Sequence, residues 1–167
     1  MTDPIRLRVL KALTTHLQAI HEDDGYYTTL ADDPRKVARG RAIFGADDPL
    51  PMVSILEGTR SDTGQFAGSI ERKDQWTIMI QGWVEDDIDN PTDPAYLLMD
   101  DVERRLQRII AINDKTGLPV YPQEYRLGGL IANLTIPPGI VRPPMEGVSS
   151  KAFFYLPVIL TIVNPDD

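Results

Sequence analysis

Residues 151–164 read KAFFYLPVILTIVN, and no other stretch limits the possible folds as strongly. In an extended chain, Phe154, Leu156, Val158, Leu160 and Ile162 line one face, and Phe153, Tyr155 and Ile159 line the other. A strand with two apolar faces belongs in the middle of a sheet covered on both sides. The rest of the chain must supply flanking strands and at least one layer of cover. The second layer is expected from another chain.

Two amphipathic helices can form the first layer. From Thr2 or Asp3 to about Ile20, the residues Ile5, Val9, Ala12, Leu13, Leu17 and Ile20 keep the three-to-four spacing of one buried stripe, with Arg6, Arg8, Lys11 and Gln18 opposite. Asp3 is expected to cap this helix and Pro4 to open it, where a missing N–H costs nothing. HEDDG ends it, with Gly25 permitting the turn. A second helix is expected from the cap Asp93 and Pro94 to about Asn113, burying Leu98, Val102, Leu106 and Ile109. Asp100 and Asp101 stand four residues before Arg104 and Arg105, the favourable order for helical ion pairs.

Further strands are expected at Tyr26–Leu30 and Val37–Phe44, with an Asp-Asp-Pro turn between them, and at 51–57 with Pro51 first. Two more are expected at Gln75–Glu85 and Leu130–Ile136. In the Gln75–Glu85 strand, Trp76, Ile78, Ile80 and Val84 face one way and Thr77, Met79, Gln81 and Trp83 the other. Residues 57–74 and the proline-rich 137–150 read as two long loops. The first exceeds the ~12–15 residues usual for a structureless loop in a compact domain. The sum is an α+β fold over a single domain, 1–167: a mostly antiparallel sheet, two helices packed on one face, and long hairpin loops.

Composition narrows the functional classes. No cysteine is present, so a thiol nucleophile or zinc–thiolate site has no ligand. A net charge of −8 argues against recognition of nucleic-acid sequence. No apolar run reaches the ~20 residues of a membrane helix. The N-terminal residues lack the pattern of a signal peptide, so folding in a cytoplasm is expected.

The densest acid cluster follows Val84: Glu85, Asp86, Asp87 and Asp89. As a metal site it would use Asp86, Asp87 and Asp89, but Pro91 and Thr92 stand where a calcium loop needs its turn glycine. A solvated strand end leading into a helix is the plainer reading. His16 and His21 are five residues apart and diverge around a helix, so they are read as surface or helix-end residues, not paired ligands. Ser54, Ser61 and Ser69 lack a nucleophile-elbow context. No catalytic residue and no cofactor is expected. Trp83 and Met79, opposite the core side of their strand, are residue types enriched in protein interfaces; the other reading places them under a loop of the same chain.

Three segments in succession, VARGRAIFGADDPLPMVSILEG, QWTIMIQGWVEDD and NPTDPAYLLMDDVERRLQRI, resemble the tail terminator (tail completion, minor tail) proteins of tailed bacteriophages. The resemblance covers nearly the whole chain and implies a fold like the one derived above. It implies a structural, non-enzymatic role. Copies would form a ring, six on the tail, at the head-proximal end of the tail tube, stopping tube growth and joining the head. The implied partners are further copies of the chain, the tail tube protein and a head-completion or connector protein, with no membrane. The implied location is the virion tail, after assembly in the host cytoplasm. Arg39, Arg41, Phe44, Arg60, Phe66, Trp83 and Arg142 are matched to subunit or tube contacts. The acids after Val84 then form a charged rim. Two other readings stand beside this one: a head–tail connector or stopper protein, and a small metal-dependent hydrolase using Asp86, Asp87 and Asp89.

Overall fold

The computed structural model describes residues 2–45, 47–57, 74–146 and 149–162. Two long helices, α1 (Ile5–Leu17) and α2 (Asp93–Gln107), with a one-turn helix α3 (Arg126–Gly129) and two short 3-10 turns, accompany six strands: β1 (Val37–Arg39), β2 (Met52–Glu57), β3 (Asp74–Val84), β4 (Ile131–Thr135), β5 (Ile140–Arg142) and β6 (Ala152–Ile162). The strands form one mixed sheet in the order β1-β2-β3-β6-β4, with β5 also paired to β6. Only β1 and β2 run parallel; the other pairs are antiparallel. This is the expected α+β architecture.

As its two apolar faces require, β6 lies inside the sheet. β3 pairs with its full length, while β4 and β5 share the other side at Ile159–Ile162 and Phe153–Tyr155. Register places Trp76 opposite Leu160, Ile78 opposite Val158 and Ile80 opposite Leu156. These join Val9, Leu13 and Leu17 of α1 and Leu98, Val102 and Leu106 of α2 in one core, so both helices cover the same face. At about 25 cal/mol per Å² of apolar area buried, this layer is the main driving force for the fold.

Gly82 interrupts the apolar row of β3 for a packing reason. It sits opposite Phe154, and a Cβ at this position would fall 2.1 Å from the Phe154 ring. The ring occupies the space that a side chain would need. Gly82→Ala is expected to destabilise the fold by about 1–3 kcal/mol through overpacking. In urea titrations the double variant with Phe154→Leu should recover part of that loss. Additive losses would place the cost elsewhere than in the ring contact.

Several local expectations change. α1 starts at Ile5 with Pro4 as its cap residue, and Asp3 instead binds Lys11 at 2.7 Å. α2 ends at Gln107, short of Asn113, and its cap position is Thr92, not Asp93. Tyr26–Leu30 forms no strand. β1 stops at Arg39 because Gly40 turns the chain away with φ +74°. The 137–150 segment contains β5, which fills the side of β6 that β4 leaves open. The expected 57–74 loop, apart from Glu57 and Asp74, lies outside the described residues.

Candidate functional site

At the end of β3, Glu85, Asp86, Asp87, Ile88 and Asp89 are all exposed. The Asp87 carboxylate folds back on its own turn, accepting from the N–H groups of Asp89 at 2.9 Å and Asn90 at 3.3 Å. Glu85 accepts from Lys151 Nζ at 2.8 Å. Among the described residues, no three histidines or carboxylates converge in a way that could hold a metal ion. The local chemistry is that of a solvated turn before α2, with Asp93 placed favourably in the positive first turn of the helix.

The sheet face opposite the helices is more informative. One end of it is closed by the segment between β1 and β2. There Arg41 forms a two-pronged bond to Asp48, 2.7 Å on each side, while Asp48 also accepts from Gly45 N at 2.6 Å. The Arg41 guanidinium holds the Asp48 carboxyl below its ordinary range. This clasp sets Phe44 and Leu50 against Met52, Trp83 and Phe153, a second small core. Trp83 is 2% exposed beneath it, so in the single chain it offers no contact surface. Arg41 and Phe44 form the cover itself.

The rest of that face has no such strap among the described residues. Leu56, Met79 and Pro157 lie side by side in register, flanked by Thr77, Tyr155 and Ile159, and all six are only partly buried. Nearby Ile140 of β5 is 49% exposed. Arg39 and Arg142 are exposed on β1 and β5, at opposite sides of the sheet, and Arg39 donates to Thr14 Oγ1 at 3.1 Å. Arg60 and Phe66 fall outside the described residues. Of the five described positions, Arg41, Phe44 and Trp83 meet at the closed end, Arg142 stands in the cross-strand row of Phe153 and Trp83, and Arg39 lies apart, beside α1.

Two buried polar centres were not anticipated. His16, expected at the surface or at a helix end, stands in the last turn of α1 but is buried between the helices: its Nε2–H donates to the Arg105 carbonyl at 2.6 Å, and Nδ1 lies 3.6 Å from Glu124 Oε1. The carbonyl can only accept, which fixes the proton on Nε2. Glu124 also binds Arg105 at 3.1 Å and Arg108 at 2.6 Å. Burial pushes the Glu124 carboxyl up, but the Arg108 hydrogen bond and the charges of Arg105 and Arg108 outweigh it and hold the group below its ordinary range. Arg108 also stacks 3.8 Å from the Tyr121 ring centre.

Asp101 is the second centre. It is fully buried and pairs with Arg104, not with Arg105 four residues on. Its carboxylate accepts from the backbone of Tyr27 and Thr28 and from the Thr28 hydroxyl. The spacing held a signal for one of the two: His16 stands three residues after Leu13 and four before Ile20, on the apolar stripe itself.

The chain matches no protein-family model and no characterised protein.

Proposed function

We propose that the chain is a structural phage-assembly protein whose copies close into a ring at the head-proximal end of a tail tube. The ring ends tube polymerisation and presents the head-joining surface. The observation that carries this reading is the half-covered outer face of the sheet. A strap and its clasp bury one end, while Leu56, Met79, Pro157 and Ile159 stay partly open at the other. Contiguous apolar surface of this kind marks an interaction site. The long central strand, expected from sequence to need cover on two sides, receives only one complete layer from the described residues of its own chain. The succession of motifs along the chain supports the same reading.

The test is a polymerisation assay with the tail tube protein of the same virus. Added protein is expected to arrest tube growth at one end, visible by electron microscopy as short tubes capped by a ring. Light scattering should give a ring mass near six copies of an 18.7 kDa subunit. Tubes that grow to the same length distribution with and without the protein would rule the reading out.

A further inference from the structure

We infer that the cleft between α1 and the edge strand β1 receives the acid-rich turn 85–89 of a second copy of this chain. The inference rests on the ring reading and assigns that ring a head-to-tail contact. The cleft has a volume of about 540 Å³, and its walls include Lys11, Thr14 and Thr15 of α1, Gln18 just after it, and Ala38 and Arg39 of β1. Among the described residues no carboxylate is part of its wall, although Asp3 pairs with Lys11 of that wall at 2.7 Å. In a chain with 25 acidic and 17 basic residues, a cleft walled by two cations and by no described carboxylate stands against the overall charge.

Both cations can accept a new partner. Arg39 is exposed, its one contact in hydrogen-bond range among the described residues is the neutral Thr14 hydroxyl at 3.1 Å, and no described carboxylate reaches it. Lys11 is paired with Asp3, but both side chains are about half exposed, 51% and 42%, so an incoming carboxylate can exchange with Asp3 at little cost. The backbone adds a third element. β1 is the last strand of the sheet, and the bond from Gly40 N to Ile55 O fixes which of its peptide groups turn inward. By the alternation of a parallel ladder, the N–H and C=O of Arg39 turn away from β2, toward the open edge. Such an edge is a template for an extended segment, with side-chain charges selecting which one.

The turn 85–89 has the matching chemistry. Asp87 is occupied by its own turn and Glu85 by Lys151, whereas Asp86 and Asp89 have no base in ion-pair range among the described residues. Between them Ile88 is 96% exposed. Two open carboxylates in one place and two available cations in another, on the same chain, define a contact that joins unlike surfaces of like subunits. Such contacts close into rings when the rotation permits. The charges set register and association rate more than affinity.

Sedimentation velocity at low ionic strength tests the contact with two charge-reversed proteins, Lys11→Glu/Arg39→Glu and Asp86→Lys/Asp89→Lys. All four positions are exposed, and matching circular-dichroism melts will confirm that both variants are folded. Each variant alone is expected to self-associate at least tenfold more weakly than the natural chain. An equimolar mixture should regain association, because the reversed turn of one fits the reversed cleft of the other. Unchanged association of either variant, a mixture that stays dissociated, or a natural chain that is monomeric to millimolar concentration overturns the contact. The tube assay separates the two proposals: tubes capped equally well by the Lys11→Glu/Arg39→Glu protein remove this contact and leave the ring, while tubes left growing by the natural chain remove the ring itself.

Discussion

Asp101→Ala is expected to destabilise the protein by on the order of 3 kcal/mol, the cost of emptying a buried charged acceptor site. The carboxylate has no exposed surface, and every group pointed at it can donate: Tyr27 N–H at 3.0 Å, Thr28 N–H at 2.8 Å, the Thr28 hydroxyl at 2.5 Å and Arg104 at 2.8 Å. Alanine leaves two backbone donors without an acceptor and frees the 26–28 segment from α2. Asparagine is not a faithful substitute, because its NH₂ group would face a donor. Asp101→Asn should therefore fall between alanine and the natural residue. Urea titration reads both, as a lower midpoint with an unchanged slope. Hydrogen exchange at Tyr27 and Thr28 should quicken in parallel. An alanine variant within about 0.5 kcal/mol of the natural chain, the range of an ordinary surface change, would show that this network does not hold the segment.

Acid should weaken the fold well before most carboxylates titrate, and His16 is the cause. Its pKa is lowered from an ordinary 6.5 to about 4, chiefly by burial and also by the nearby cations Arg105 and Arg108, against the opposing pull of the Arg105 carbonyl and Glu124. The unfolded chain takes up this proton as pH falls through 6.5, while the folded chain resists until about 4. Between those values the unfolded state binds more protons, so stability falls with pH and the loss is complete below the folded pKa. The full loss is roughly 3 kcal/mol. Above pH 6.5 this group contributes no pH dependence. Asp48 and Glu124, whose pKa values are lowered, act oppositely in origin but in a lower window: their stabilisation is lost as pH falls through folded values below 3.8 and 4.5 respectively. His16→Gln, which keeps a donor for the Arg105 carbonyl, should flatten stability between pH 6.5 and 4.5. An equally steep slope in that variant would assign the acid sensitivity to other groups.

These two centres show where reading the chain in one dimension stops. Periodicity located α1, the start of α2 and the strands at 52–57, 74–84, 131–135 and 152–162 to within a few residues, because each buries a stripe or face that repeats along its own sequence, whereas α2 ends at Gln107 and not near Asn113. Tyr26–Leu30 has strand composition yet pairs with nothing in the sheet, because the carboxylate of Asp101 takes up the N–H groups of Tyr27 and Thr28 from more than 70 positions away. β5 hides in a proline-rich run and is strand only because β6 has an unpaired side there. Burial of Trp83 has a similar origin: it faces away from the helices as read, but a clasp between Arg41 and Asp48 closes over it.

The sequence by itself determined the class of fold, the placement of β6 inside the sheet and the helix layer on one of its faces, since all three follow from where apolar residues recur. Tertiary structure alone decided which charges are buried, which strands occupy the edges, and that the described residues close the second face at only one end. Those outcomes depend on pairs of residues far apart in the chain, and the free energy of such a pair exists only once the layers have brought its members together.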